Sequence, residues 1–313
     1  MTYRTPAAFR AAVMDRAKRR ARDLGANSAD LVEHFYFQRL LARIYIADPD
    51  GWLLKGGQAL LVRYPDARHS RDIDLYRPTT TDLDEAIAAL RAAAELDLGD
   101  HLRFEFVATE VVTEAARSLR VSFEVFAGNN RVALIKIDLT VDLCPIGIPA
   151  HRPLEPVVPI DWPADWPEVL LYPIVDHTAD KIAAMYELHG EMGTPSSRHR
   201  DLVDLVLIAL KEPIDGRELQ TALRSEVSRR RDLGVALELP VTFTLPHPSW
   251  GDRYRKDAAK LPDLARHRTV EDATQLMTAF LDPLLAPATP GWWNPAGLRW
   301  TAELAAKRCD LGH

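Results

Sequence analysis

Cysteine is scarce in this chain of 313 residues: only Cys144 and Cys309 occur, far apart and in no metal-ligand spacing. That excludes a disulfide framework and a thiolate zinc site, and it fits a reducing cytosol. No apolar run approaches the ~20 residues of a membrane span. Charged residues stand near the N-terminus where a secretory leader needs an apolar core. A cytoplasmic protein with no membrane partner is therefore predicted. Positive charge is not in excess either, since the net charge is −6, which excludes a surface coated for indiscriminate nucleic-acid binding. Internal repeats and low-complexity tracts are also missing, so solenoid architectures are excluded.

What is present is an ordinary globular composition, 47% hydrophobic and 27% charged, enough to bury a core and to form two domains. Hydrophobic periodicity predicts helices over about Pro6–Leu24 and Ser28–Ile46, the second with a stripe of Val32, Tyr36, Leu40 and Ile44 and with Ser28 as N-cap. Short strands follow around Trp52–Lys55 and Ile73–Tyr76, then a helix over about Asp82–Leu96. Strands are expected at Arg103–Val107, Leu119–Phe126 and Arg131–Leu143, the last two joined by a hairpin turn at Gly128, Asn129 and Asn130. A proline-rich stretch from about Gly147 to Pro173 reads as a connector. It divides residues 1–150, a mixed sheet with flanking helices, from residues 151–313, a mainly helical domain that completes the active site. Helices are expected there over Thr178–His189, Arg198–Leu210, Arg217–Asp232 and Val270–Leu285, with a short final helix beyond the proline- and tryptophan-containing stretch Pro290–Pro295.

The chemistry is concentrated in LLKGGQAL, starting at Leu53, and HSRDIDL, starting at His69. Side chains alternate along a strand, so Asp72 and Asp74 share one face while Ile73 and Leu75 anchor the other. Paired carboxylates of this kind bind Mg²⁺ (or Mn²⁺), which prefers oxygen ligands and bridges them to substrate phosphates. Gly56 and Gly57 let the backbone turn with no Cβ in the way, and the helix after them presents free N–H groups to a nucleoside triphosphate. Ser70 stands where its hydroxyl reaches a phosphate or accepts a blocking modification, or simply forms a turn. Arg63, Arg68 and Arg71 lie near the motif, and most of them read as surface residues. In ALIKIDLTV, starting at Ala133, the apolar Ile135, Ile137, Leu139 and Val141 leave Lys136, Asp138 and Thr140 on the opposite face with Asp142. Either Asp138 or Asp142 can supply a third carboxylate.

Farther on, Lys181 falls in the first turn of a helix capped by Asp176 or Thr178, where its ammonium and the positive helix end can face a triphosphate. On the next helix Asp201 and Asp204 sit beside Arg198 and Arg200, in position for ion pairs that orient Lys181 or a nucleotide. Arginine and lysine cluster three times: Arg10, Arg16, Lys18, Arg19, Arg20 and Arg22; Arg224, Arg229, Arg230 and Arg231; Arg253, Arg255, Lys256 and Lys260. Each is a candidate contact for an RNA backbone or a solvated helix face. His199, Arg200, Asp201 and Leu202 share the letters of a kinase catalytic loop, but Val206 replaces the required asparagine. His189 and His199 lack zinc-site spacing.

As a set, the double-glycine segment, the spaced aspartates, Lys181 and the run RHRDLVDL from Arg198 resemble the polymerase-β nucleotidyltransferase superfamily. They are most similar to its AbiEii/AbiGii toxin branch, which includes the mycobacterial MenT toxins, over roughly Gly51–Leu210. The resemblance implies an α+β nucleotidyltransferase fold and an Mg²⁺-dependent transfer of NMP from an NTP. The implied acceptor is RNA, most plausibly the tRNA 3′ end, within a toxin–antitoxin or phage-defence system that has a cognate antitoxin protein. It also implies that Asp72, Lys181 and Asp201 are catalytic, and that Gly56, Gly57, Ser70, Lys181 and Arg200 bind nucleotide. Asp72 and Asp74 would hold metal, with Asp138 as metal ligand or general base. Two other readings remain: transfer to a small hydroxylated molecule or a protein side chain, and a non-catalytic nucleotide-binding module.

Overall fold

The computed structural model describes residues 3–113, 118–160, 166–190 and 192–302. They form two compact units, the first lying within residues 1–65, 69–144 and 149–172 and the second within 66–68, 145–148 and 173–313.

The first unit opens with helix α1 (Pro6–Leu24), whose N-cap Thr5 accepts the Ala8 N–H, and helix α2 (Ser28–Ala47). The N-cap of α2 is Asn27 rather than Ser28, because the Asn27 side chain accepts the Ala29 N–H. Strand β1 (Leu53–Lys55), helix α3 (Gly56–Arg63), strand β2 (Ile73–Tyr76) and helix α4 (Leu83–Ala94) follow. The long strands β3 (Leu102–Thr113), β4 (Ser118–Ala127) and β5 (Asn130–Thr140) come next, then β6 (Ala150–Pro153) and β7 (Glu168–Leu171). These strands make one mixed sheet in the order β3-β4-β5-β2-β1-β7-β6. The expected hairpin turn joins β4 to β5, with Gly128 at φ +60° between paired Ala127 and Asn130.

The core of this unit lies between the sheet and α1, α2 and α4. Phe35, Phe37, Leu40, Leu41 and Ile44 of α2 are fully covered, each burial contributing about 1.5–3 kcal/mol. Two arginines of the same helix are equally buried. Arg39 and Arg43 reach Asp100 at 2.6 Å each, the carboxylate also accepts the Leu102 N–H, and the cluster fastens α2 to the start of β3. Burial works against the Asp100 charge, but the two guanidiniums outweigh it and hold its pKa below the ordinary carboxylate value.

The connector expected over 147–173 is corrected here: β6 and β7 complete the sheet, and the first unit runs on to Tyr172 rather than ending at 150. The physical reason lies in α2. Gln38 donates to the Glu155 carbonyl at 2.7 Å and accepts from the Val157 N–H at 2.8 Å, and Leu154, Val158, Val169 and Leu171 enter the core. Prolines interrupt this stretch without detaching it.

The second unit is mainly helical: α5 (Ile174–Met185), the short strands β8 (Glu187–His189) and β9 (Thr194–Pro195), α6 (His199–Lys211), β10 (Ile214–Asp215) and α7 (Gly216–Asp232). After β11 (Ala236–Leu237) come α8 (Trp250–Ala258), α9 (Val270–Leu285), β12 (Trp292–Asn294) and β13 (Arg299–Thr301). Helix α8 and the two small three-stranded sheets of this unit were not expected from periodicity. The tryptophan-containing stretch forms β12; the final helix expected beyond it falls largely on 303–313, outside the described residues, as does Cys309. Among the described residues no helix is long and apolar enough to cross a membrane.

Candidate active site

In the first unit the two signature segments are built against each other. Residues 53–55 of β1 pair antiparallel with β2, so Lys55 faces Asp74. Gly56 follows at φ +62°, a conformation that glycine adopts without the Cβ penalty. A Cβ at Gly56 would lie 1.9 Å from the Asp74 Oδ2, and one at Gly57 would lie 2.5 Å from the Ser70 Cβ and Oγ. The glycines therefore make room for the acidic segment as well as for the turn. No side chain caps α3, so its leading N–H groups are natural receptors for an anion.

Strand β2 runs parallel to β5 with Asp74 opposite Asp138, and β5 runs antiparallel to β4 with Asp138 opposite Arg120. Directly paired residues point to the same face of a sheet. Lys55, Asp74, Asp138 and Arg120 therefore form a charged row across four strands, above buried Leu54, Ile73, Leu75, Ile137 and Leu139. Arg120 holds both Asp138 oxygens, at 2.7 and 2.9 Å. This bidentate bond raises the Arg120 pKa, and the neighbouring Asp72 and Glu110 charges add to the effect.

Asp72 lies one residue before β2, and the Ser70 hydroxyl is 3.4 Å from its carbonyl oxygen. Asp142 is placed differently from expectation: it lies past the end of β5 at φ +62°, off the strand alternation. Of the two candidates for a third carboxylate, Asp138 is the one in register with Asp74.

Among the described residues, no three His, Cys, Asp or Glu side chains converge as a closed metal cage. The donors that are present fit a divalent cation in another way. They are all oxygens, two of them sit on adjacent strands, and Mg²⁺ is commonly held by one or two carboxylates plus substrate phosphates.

The second unit carries the other expected residues. Helix α5 begins at Ile174, just after its N-cap Pro173, rather than near 178, so Lys181 is the eighth of its twelve residues and not in the first turn. Neither proposed cap acts at that helix start. Asp176 accepts the Ile146 and Gly147 N–H groups at 2.8 Å each, and the Thr178 hydroxyl donates to the Ile174 carbonyl. The first helical turn is thus spent on a loop, and the Lys181 ammonium is directed to α6 instead.

There it donates to Asp201 at 2.9 Å and to Asp204 at 2.6 Å, while Arg68 makes a bidentate pair with Asp204 at 2.9 and 2.7 Å. Arg68 is thus a partner of α6 rather than a surface residue. Lys181, Asp201 and Asp204 are all buried. Burial disfavours the Lys181 charge, yet Asp201 and Asp204 outweigh it and raise its pKa. For Asp204, burial is likewise overcome by Lys181 and Arg68, and the pKa falls.

Arg198 reaches Asp201 at 3.7 Å, and Arg200 pairs with Asp257 rather than with either α6 carboxylate. The basic clusters also divide. Arg10, Lys18, Arg20 and Arg22 of α1 are exposed. In α7, Arg230 is buried in ion pairs with Glu187, Asp180 and Glu226. In and after α8, Arg255 pairs with Asp252 and Lys260 with Asp257.

The model of the family described as nucleotidyl transferase AbiEii toxin, type IV TA system, matches residues 39–297. No curated protein matches the chain. Among solved structures, MenT4, a nucleotidyltransferase toxin from Mycobacterium tuberculosis H37Rv, is similar at 16% identity and a TM-score of 0.52, covering 90% of this chain and 99% of that one. At that identity the likeness establishes the fold. JHP933 from Helicobacter pylori aligns at 15% identity over 82% of this chain and 93% of its own, with a TM-score of 0.42.

Proposed function

This chain belongs to the AbiEii nucleotidyl transferase toxin family, and from that premise we propose that it transfers NMP from an NTP to RNA, most specifically to the 3′ acceptor end of tRNA. The observation that carries the transferase chemistry is the in-register pair of Asp74 and Asp138, with Asp72 just ahead of it and the uncapped start of α3 alongside. The exposed Arg10, Lys18, Arg20 and Arg22 of α1 support an RNA acceptor, since phosphate neutralisation by arginine and lysine dominates such binding.

In this reading the α3 N–H groups bind the triphosphate, and Asp72, Asp74 and Asp138 would hold Mg²⁺, which would supply charge neutralisation of the phosphates. An acceptor hydroxyl oxygen attacks the α-phosphorus. The new P–O bond forms as the bond to the β-phosphate oxygen breaks, and pyrophosphate leaves. The hydroxyl proton passes to water, because Asp138 is already engaged by Arg120 and, in this reading, by the cation. Lys181 and Asp201 are assigned to the same reaction. Their ion pair keeps the lysine charged, and the ammonium retains a third donor. A cognate antitoxin is the partner that a toxin of this family requires.

The test is incubation with total tRNA and each radiolabelled NTP, comparing the native chain with Asp72→Ala. Label on tRNA from one NTP, lost in Asp72→Ala, is the expected result. Label on a small hydroxylated acceptor or a protein, and none on tRNA, overturns the tRNA assignment. Growth inhibition that survives Asp72→Ala overturns the catalytic reading.

A further inference from the structure

The charged row across the sheet contains two cations, and they are held in different ways. Arg120 is committed to a carboxylate through both of its hydrogen bonds to Asp138. Lys55 stands opposite Asp74, yet its Nζ lies 4.5 Å over the centre of the Tyr172 ring, and it makes no carboxylate ion pair among the described residues. An aromatic face attracts the charge of an ammonium but accepts few of its hydrogen bonds. Lysine brings three donors and no acceptor. The ring therefore fixes where the cation sits and leaves most of its donors for an acceptor-rich anion.

The platform is itself fixed. The Tyr172 N–H donates to the Leu54 carbonyl at 2.9 Å, its carbonyl accepts from Arg63 at 3.2 Å, and its ring stands perpendicular to that of Tyr76 at 6.5 Å. Lys55 is also the N-cap of α3, so its backbone leads directly into the uncapped N–H groups of that helix. A side-chain cation and a set of free backbone donors thus converge at one point of the chain, next to a carboxylate suited to a metal-bound phosphate.

We propose that Lys55 is a further catalytic residue that contacts the leaving pyrophosphate portion of the nucleotide, and that Tyr172 is its positioning residue. The inference rests on the nucleotidyltransferase reading above. Lys55 neutralises charge that builds on the β-phosphate as its bond to the α-phosphorus breaks, while Asp74 and Asp138 remain available for the cation.

The experiment is equilibrium binding of each NTP, the matching NMP and inorganic pyrophosphate to the full chain with Mg²⁺, for wild type, Lys55→Met, Lys55→Arg and Tyr172→Leu. Loss of a charge-assisted hydrogen bond predicts roughly 10- to 100-fold weaker NTP and pyrophosphate binding in Lys55→Met, with NMP binding kept. Lys55→Arg should recover most of the loss, and Tyr172→Leu should show a smaller loss with the same selectivity. NTP binding by Lys55→Met equal to wild type overturns the inference alone. So does an equal loss of NTP and NMP in both Lys55→Met and Tyr172→Leu, which marks a purely structural role. A wild-type chain that binds no NTP overturns the transferase reading and this inference with it.

Discussion

Gly56 and Asp74 are packed so closely that the hydrogen of the glycine occupies the place where any other residue would drive a methyl group into the carboxylate, 1.9 Å from Oδ2. The glycine is thus part of the acidic site as well as of the turn.

Gly56→Ala should lower stability by at least about 1–2 kcal/mol from the left-handed backbone alone, and more once Asp74 is displaced. Urea unfolding measures the first effect. Mn²⁺ or nucleotide affinity, measured on the folded fraction, should fall as well, because the carboxylate is moved off its register position.

Arg120 and a bound cation would share Asp138. Arg120→Gln removes a positive charge from the row and frees both carboxylate oxygens, so Mn²⁺ should bind more tightly without nucleotide, as read by titration calorimetry. Transfer should still fall, by roughly 10- to 100-fold, because the orientation of Asp138 is lost.

Lys181→Met leaves Asp201 and Asp204 buried with one cation removed. Breaking a buried pair in this way costs about 3–5 kcal/mol, and a lower urea midpoint should report it. Adding Asp201→Asn to that variant should recover part of the loss, since the amide needs no counter-charge.

Acid should unfold the chain through two carboxylates in particular. The pKa values of Asp100 and Asp204 are lowered from 3.8 by their cationic partners. Their contribution is present above that value and is lost as pH falls through the folded-state values. The Lys181 contribution has the opposite sign: its pKa is raised from 10.5, so its stabilisation is complete below that value and is lost only at strongly alkaline pH. The urea midpoint should therefore hold between about pH 5 and pH 9 and drop towards pH 3. The drop should be smaller in Asp204→Asn, whose starting stability is lower.

Much of the fold was legible because periodicity reports which face of an element is apolar. Helix α1 begins and ends where the pattern placed it, and the alternation around Asp138 and Asp74 located both on the polar side of their strands. What periodicity does not report is register between distant strands, so Arg120, opposite Asp138, and Lys55, opposite Asp74, were not assigned roles. Buried charge was invisible for another reason. Nothing in the type of Arg39 or Arg43 announces burial, and Asp100, brought close by the fold, offsets it, as Asp204 does for the half-buried Arg68. Helix α5 was misplaced because Asp176 and Thr178 resemble caps, while the proline at 173 supplies the actual start.

The bond between Arg68 and Asp204 joins residues 136 positions apart. At about 5–20 residues per second of synthesis, the arginine leaves the ribosome roughly 7–27 s before its carboxylate exists. A chain halted at Tyr172 would also carry 145–148 without Asp176, the acceptor of the Ile146 and Gly147 N–H groups. The second unit is therefore a body that translation cannot finish early. Until α6 (His199–Lys211) emerges, about two-thirds of the way along the 313 residues, the growing chain lacks its Lys181–Asp201 pair.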